Sequence, residues 1–278
     1  MLITKMQCVG NDFLFANCFY DKIENPSVFA REICDRHFGV GADGLVLLLY
    51  SNDADFRTEF YNQYGVKTKC TPNMLICAVK YALDNDLVNN DKLTVSVYTD
   101  DGVKYLTISD SDKVEITTNC GLPVLTPQLI PVDYTGEDFI NKDISIFDRS
   151  YQLTCASVQG NPCAVIFAEN GEQLNDIEIG LIAPYIEKHN IFPSGCNVIF
   201  ANVVDRNLIQ ARCWVLNQGE VIGCDFGASA ALIAATLCGY TDDKVTVELH
   251  GGDVSVEISD DDFIYLTASA DKVFEIDW

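Results

Sequence analysis

An α+β fold built twice is what the sequence predicts, on three observations. The run Lys92-Leu93-Thr94-Val95-Ser96-Val97 recurs as Lys244-Val245-Thr246-Val247-Glu248-Leu249, 152 residues on, and Ile108-Ser109-Asp110 recurs as Ile258-Ser259-Asp260, 150 residues on. In each copy an apolar helix pattern, Ile76 to Leu83 and Ala228 to Leu237, comes just before alternating strands. Gly-Asn turns, Gly10-Asn11 and Gly160-Asn161, stand at matching places in the two halves. Helix, strand and Asp-rich turn recurring in one order indicate a duplication rather than a chance likeness between meanders. Two residues lost in the hairpin account for the change of offset.

The first half opens with a strand from Leu2 to Met6, a turn at Gly10-Asn11-Asp12 and a strand from Phe13 to Asn17. A helix pattern follows Pro26 as far as Arg36. The second half opens the same way, with a strand from Gln152 to Val158, a turn at Gly160-Asn161-Pro162, a strand from Ala164 to Phe167 and a helix from Ile177 to His189. Between the halves, Leu122 to Phe147 carries Pro123, Pro127 and Pro131, which marks it as the crossing segment. The expected domains are residues 1–120, rejoined by a C-terminal strand over 270–278, and residues 121–269.

Composition narrows the function. The 278 residues can build two modest cores, and 48% hydrophobic with 21% charged content is ordinary for a globular chain. With 41 acidic against 18 basic residues, a net charge of -23, the clustered Lys and Arg that phosphate binding needs are missing. No apolar run reaches the length of a membrane span, and the N-terminus lacks a signal-peptide core, so a cytoplasmic protein is expected. In that compartment the twelve cysteines are expected as thiols. Their closest spacing is seven residues, Cys70 to Cys77, so there is no CxxC knuckle for structural zinc. The partners expected are a small-molecule amino-acid substrate and, at most, a second copy of the chain, with no nucleic acid and no membrane.

Most cysteines act as small buried hydrophobes, and only position singles out a reactive one. Cys70, in Lys69-Cys70-Thr71-Pro72-Asn73, and Cys224, in Gly223-Cys224-Asp225-Phe226-Gly227, each stand at the mouth of an apolar helix pattern. The positive end of a helix lowers a thiol pKa, so Cys224 is expected to be more reactive than Cys34, Cys77 or Cys213. Two such thiols could take a proton from one face of a carbon and return it on the other, without a cofactor.

The motifs resemble those of the diaminopimelate epimerase family over nearly the whole chain. Thr4-Lys5-Met6 with Gly10-Asn11-Asp12-Phe13 is similar to the family's opening, and Asp35-Arg36-His37-Phe38-Gly39-Val40-Gly41-Ala42-Asp43-Gly44 to its D-R-x-x-G-[IV]-G-A-D segment. Ser157-Val158-Gln159-Gly160-Asn161-Pro162, Ile186-Glu187-Lys188-His189 through Asn197-Val198, and Gly219-Glu220-Val221-Ile222-Gly223-Cys224 resemble three further motifs. The resemblance implies two pseudo-symmetric α+β domains, each a sheet wrapped around a central helix, with the active site in the cleft between them. It also implies helix N-termini that bind the substrate carboxylate, no metal and no pyridoxal phosphate. Asn11, Asn62, Asn73, Asn161 and Asn197 match substrate-binding positions, although Asn in such turns also simply favours the turn. Asp225 and Phe226 stand where the family lines the second helix mouth.

The departures from the family fall on the chemistry. Where the family reads C-G-N-G-x-R, this chain reads Cys70-Thr71-Pro72-Asn73-Met74-Leu75-Ile76. An ungapped register puts Thr71 at the catalytic cysteine, and keeping Cys70 there needs one deletion and one insertion. Asp225 would repel an anionic substrate unless it caps the helix, and Phe226 replaces a small hydroxyl residue. The histidine of the G-N-P-H turn is Cys163. The family's E-R-G, which reads the distal end of diaminopimelate, is Val215-Leu216-Asn217, so diaminopimelate is the family's substrate while a less polar amino acid fits these residues better, unless Arg57 or Lys69 replaces the lost arginine. Three functions are consistent with this: a two-base racemase or epimerase using Cys224 and Cys70, a one-base dehydratase or isomerase using Cys224 alone, as in related 3-hydroxyproline dehydratases where a threonine replaces one cysteine, or a paralogue that binds a ligand without catalysis.

Overall fold

A computed structural model describes residues 1–109, 114–168 and 173–278. The chain forms two compact units, one of residues 1–119 with 267–278 and the other of residues 120–266. Asp110, the end of one repeated motif, lies outside the described residues.

In the first unit the elements run β1 (Leu2–Cys8), β2 (Asn11–Asn17), α1 (Pro26–Ile33), β3 (Gly44–Leu49), β4 (Phe56–Asn62), β5 (Lys67–Thr68), α2 (Pro72–Asp84), β6 (Thr94–Thr99), β7 (Gly102–Ile108) and β8 (Ile116–Gly121), whose end passes into the second unit. The second unit continues with β9 (Lys142–Ile146), β10 (Arg149–Val158), β11 (Asn161–Phe167), α3 (Ile179–Glu187), β12 (Asn197–Asp205), β13 (Leu208–Val215), β14 (Gly219–Val221), α4 (Asp225–Leu237), β15 (Lys244–Leu249), β16 (Gly252–Ile258) and β17 (Ile264–Ala268). From Thr267, near the end of β17, the chain is back in the first unit, where β18 (Asp271–Asp277) pairs antiparallel with β1.

Both units follow one plan. β1 and β2 form a hairpin, β2 runs parallel to β3, β3 pairs with β4, and β4 runs parallel to β6, which turns back into β7. β10, β11, β12, β13, β15 and β16 repeat those pairings one for one, including the two parallel steps. A parallel step needs a crossover, and a helix supplies each: α1 and α2 in the first unit, α3 and α4 in the second. α2 and α4 are buried nearly all round, which is why their sequences are apolar on every face rather than striped. α2 lies on β1, β2 and β3, and α4 lies on β10 to β13, β15 and β16, so each is the helix around which its sheet curves.

The hairpins correct the reading of the repeat. Thr99 pairs with Gly102 and Leu249 with Gly252, so the structural offset at these strands is 150 throughout. Thr94, not Lys92, matches Lys244, and no residues are lost in the hairpin. A slip of two leaves every side chain on its original face, which is why the 152-residue match read equally well. The opening turns are two-residue hairpins of the kind that needs positive φ at both positions: Val9 (51°) with Gly10 (83°), and Gln159 (54°) with Gly160 (79°).

Two expectations about segments also change. The helix after Pro26 ends at Ile33 rather than Arg36, because the Asp35 carboxylate accepts the N–H groups of His37 and Phe38 and turns the chain. The Pro-rich stretch between the halves is no free linker: Ile130, Val132 and Phe139 are buried in the second unit's core with Ile144, Leu153 and Phe192.

Candidate active site

In the first unit the candidate residues gather at the mouth of α2. Thr71 is the N-cap: its backbone is extended, its Oγ1 accepts the Met74 N–H at 3.4 Å, and its carbonyl accepts the Leu75 N–H at 2.9 Å. Pro72 follows at the first helical position, where its missing N–H costs nothing. Cys70 therefore stands one residue before the cap. Its half-buried thiol is 3.4 Å from Thr58 Oγ1, and burial pushes its pKa up to about 11, with Asp100 and Asp101 adding to the rise.

Asn73, buried in the first turn of α2, ties the helix mouth to the β1–β2 turn. Its Nδ2 donates to Asn11 Oδ1 at 2.7 Å, and its Oδ1 accepts from the Cys8 thiol at 3.6 Å. Asn11 in turn donates to Asp43 Oδ2 at 3.4 Å. The most specific motifs of the first half form a clamp behind this pair. Arg36 forks across Asp12 at 2.6 and 3.0 Å and reaches Asp43 at 2.9 Å, while Lys5 reaches Asp12 at 2.8 Å and the Gly41 carbonyl at 2.7 Å. Burial opposes ionisation of Asp12, yet the hydrogen bonds from Arg36 and Lys5 hold its pKa below the usual value. The Asn62 Oδ1 accepts the Tyr64 and Val66 N–H groups in the β4–β5 turn.

In the second unit Cys224 is the N-cap of α4, as Thr71 is of α2, and each of these helices follows a short strand that pairs back onto its sheet. Cys224 is 3% exposed and makes no side-chain capping bond. Asp225, buried at the first helical position, has its Oδ1 2.7 Å from the half-buried Phe226 N–H, so a carboxylate already occupies part of this helix mouth. The thiol is not activated as the sequence suggested. Burial raises the Cys224 pKa well above the usual value, and Cys213 and the Asp225 charge push in the same direction.

Cys213, read from the sequence as a structural cysteine, lies against the same helix mouth. β13 alternates, turning Ile209, Ala211, Cys213 and Val215 inward, and this row brings the Cys213 thiol beneath the first turn of α4. A Cβ on Gly227 would sit 2.7 Å from Cys213 Sγ and 2.8 Å from Cys224 Sγ, so only glycine lets both sulfurs into that space. The available signal was the strand's period of two, which places Cys213 on the helix-facing side.

Asn197 and Asn161 bond the backbone around them. Asn197 is buried, donating to the Pro162 carbonyl at 2.9 Å and accepting the Leu216 N–H at 3.0 Å. Asn161 donates to the Val158 carbonyl at 3.2 Å across its own turn. Of the basic residues that bear on the arginine missing at Leu216, Arg212 is bound to Glu220 at 2.8 Å and to two backbone carbonyls, Arg57 is paired with Glu59 at 2.7 Å, and Lys69 with Asp101 at 3.0 Å. Cavities of 540 and 600 Å³ open elsewhere in the second unit, lined by neither Cys224 nor the candidate asparagines. Among the described residues no cluster of three or more His, Cys, Asp or Glu is placed to hold a metal ion, and no helix is long and apolar enough to cross a membrane.

Comparison with known proteins agrees with this architecture. The family model described as diaminopimelate epimerase matches residues 3–126 and 155–273. A diaminopimelate epimerase of Acetivibrio thermocellus is 36% identical over 276 residues, covering 99% of this chain and 97% of the relative. One from Methanococcus maripaludis strain C6 is 38% identical over 278 residues, covering 99% and 98%. Among solved structures, a PhzF-family phenazine biosynthesis protein of Bacillus anthracis superposes with a TM-score of 0.69 at 13% identity, covering 99% of this chain and 98% of the other. A hydroxyproline epimerase of Agrobacterium vitis gives 0.66 at 14% identity, with 99% and 91% covered. At such identities these two likenesses concern the fold.

Proposed function

The chain belongs to the diaminopimelate epimerase family, and from that premise we propose that it is a cofactor-independent isomerase of amino acids in which Cys224 is one acid/base at the substrate's α-carbon and the mouth of α2 supplies the other. The observation that carries this reading is the equivalence of Thr71 and Cys224 as N-caps of the two buried central helices. Inversion needs one group to remove the α-proton and a second to return a proton to the opposite face. Cys224 serves as the first. The second position holds the Thr71 hydroxyl with the Cys70 thiol beside it.

That substitution favours a one-base variant as a second reading. A threonine hydroxyl is a far weaker acid than a thiol, so an enzyme relying on Thr71 would exchange or eliminate more readily than it inverts. A preference for a neutral amino acid over diaminopimelate follows from Val215 and Leu216. The distal carboxylate of diaminopimelate would lose an ion pair there, a loss on the order of 1–3 kcal/mol, or about fivefold to 150-fold in kcat/KM.

The test is incubation with single amino acids and with diaminopimelate in D2O, following loss of the α-proton by NMR and inversion by chiral chromatography. Exchange with inversion, abolished by Cys224→Ser, supports the two-base isomerase. Exchange or elimination without inversion selects the one-base reading. Turnover of diaminopimelate in preference to every neutral amino acid overturns the substrate preference, and no exchange with any substrate overturns the proposed function.

A further inference from the structure

The 540 Å³ cavity of the second unit opens where two strands part. β10 follows β11 from Val158 and Asn161 as far as Thr154 and Val165, and before Thr154 it follows β9 instead. That parting leaves backbone groups facing one another. On β10 the N–H groups of Cys155 and Ser157 point away from β11, to the carbonyls of Phe139 and Val124, so those of the alternate residues, Gln152 among them, point toward it. On β11 the Ala168 N–H goes to Ala201 of β12, so the backbone groups of Phe167 point back toward β10. Gln152 and Phe167 stand where the next hydrogen-bonded pair would form. Both line the cavity instead, and among the described residues no backbone bond joins them.

The cavity is apolar on one side and carries a cation there. Ile166 and Phe200 belong to the second unit's core, and Ile182 of α3 packs against it. Leu153 and Cys155 belong to the same core, so the odd-numbered residues of β10 face that wall, and Arg149 is one of them. Its guanidinium makes no ion pair or hydrogen bond among the described residues, including with Asp148 beside it in the turn. In a chain of 41 acidic and 18 basic residues, carboxylates are plentiful, and this arginine takes none. Nor does the duplicated plan call for it. β1 begins at Leu2, the counterpart of Gln152, so Arg149 lies on an extension of β10 that the first unit lacks.

We propose that this cavity binds a small monocarboxylate with an apolar tail, its carboxylate on Arg149 and the N–H groups at the parted strands, its tail over Ile166, Ile182 and Phe200. A carboxylate matches the guanidinium fork and also accepts from backbone N–H groups. A cation would meet the guanidinium, and a second carboxylate would be set against the apolar wall, where an unpaired charge is costly. The volume falls within the range of about 300–1,000 Å³ that small-molecule sites occupy. The site is separate from the proposed chemistry. Tyr240, just beyond the C-terminal end of α4, lines it, while Cys224 caps the other end of that 13-residue helix, about 20 Å away.

The test uses 3-phenylpropionate as the probe, with 3-phenylpropanol and 3-phenylpropylamine as its neutral and cationic analogues, titrated into the full chain carrying 13C-labelled isoleucine methyl groups. The Ile166 and Ile182 methyl signals, assigned through Ile→Val variants, are expected to shift with a Kd of about 1 mM or tighter, an ordinary affinity for a ligand of about eleven non-hydrogen atoms. The alcohol and the amine are expected to bind at least about tenfold more weakly, and Arg149→Gln to weaken the acid by about tenfold, with Arg149→Lys recovering part of the loss. Circular dichroism and the unliganded methyl spectrum show that each variant is folded. Equal affinity for acid and alcohol overturns the proposal, as does an affinity unchanged in Arg149→Gln, a response confined to other isoleucines, or no response up to about 10 mM.

Discussion

At Cys224 two effects of opposite sign act on one atom, and their sizes decide the outcome. The field at a helix N-terminus contributes about 0.3–1 kcal/mol, less than one pKa unit, whereas full burial moves an ionisable group by up to about 3–5 units. Burial wins, and the Asp225 charge subtracts from the little the helix offers. The sequence placed this cysteine at a helix mouth because Gly223 and the apolar pattern after Gly227 mark one, but its depth depends on β13, eleven residues earlier in the chain, and no local pattern reports that. Exposure rather than helix position therefore sets which thiols label first. With a limiting alkylating reagent and peptide mass spectrometry, the half-buried Cys70 and Cys238 are expected to react before Cys224 in the native protein. Cys224 labelling first would show that the site opens far more readily than its 3% exposure implies.

Elements were easier to read than sites. The strand, turn and helix order of both units follows from period-two and period-3.6 patterns with Gly-Asn turns, and the structure keeps that order. The choice between Cys70 and Thr71 was also open to a local rule, since Thr-Pro is a strong helix start: a hydroxyl cap followed by the one residue with no N–H to satisfy. Thr71→Ala is expected to destabilise the protein by about 1 kcal/mol in urea unfolding, with Thr71→Ser close to wild type. An alanine variant as stable as wild type would mean that the 3.4 Å contact to Met74 contributes nothing. The roles of Lys5, Arg36 and Asp43 could not be read, because their spacing in sequence hides one clamp joining β1, β2 and the loop before β3. Burial raises the Asp12 pKa, the bonds from Arg36 and Lys5 lower it, and the lowering wins. A depressed carboxylate stabilises the fold above its unfolded pKa of about 3.9 and loses that contribution as the pH falls through the folded value. Asp12→Asn is therefore expected to cost about 1–2 kcal/mol at pH 7, a gap that narrows as the pH falls from the unfolded value through the depressed folded one. A gap in urea midpoint that stays constant from pH 7 to pH 3 would assign the loss to packing rather than charge.

Across the whole molecule, duplication explains why two dissimilar sequences share one plan: each unit needs a helix apolar on every side, a sheet that curves around it, and two crossovers for its parallel steps. What duplication does not constrain is the surface, and there the chain carries 41 acidic and 18 basic residues. Ion pairs such as Arg206 with Asp242 and Lys244 with Glu257 are exposed, and each contributes about 0–1 kcal/mol. Salt weakens these attractions and the repulsion among the unpaired carboxylates alike, so the sign of the net effect depends on which is more numerous. With a net charge of -23, every base can be matched to an acid and the whole excess of 23 acids still remains, so that its own repulsion is what salt screens. Raising NaCl from about 0.01 to 1 M shortens the screening length from about 30 to 3 Å, below the spacing of most like charges. The melting temperature at pH 7 is accordingly expected to climb by several degrees across that range, with most of the gain complete by about 0.2 M, where screening already acts at neighbouring charges. A melting temperature that falls with salt would mean that the ion pairs, the Asp12 clamp foremost, outweigh the repulsion of the whole surface.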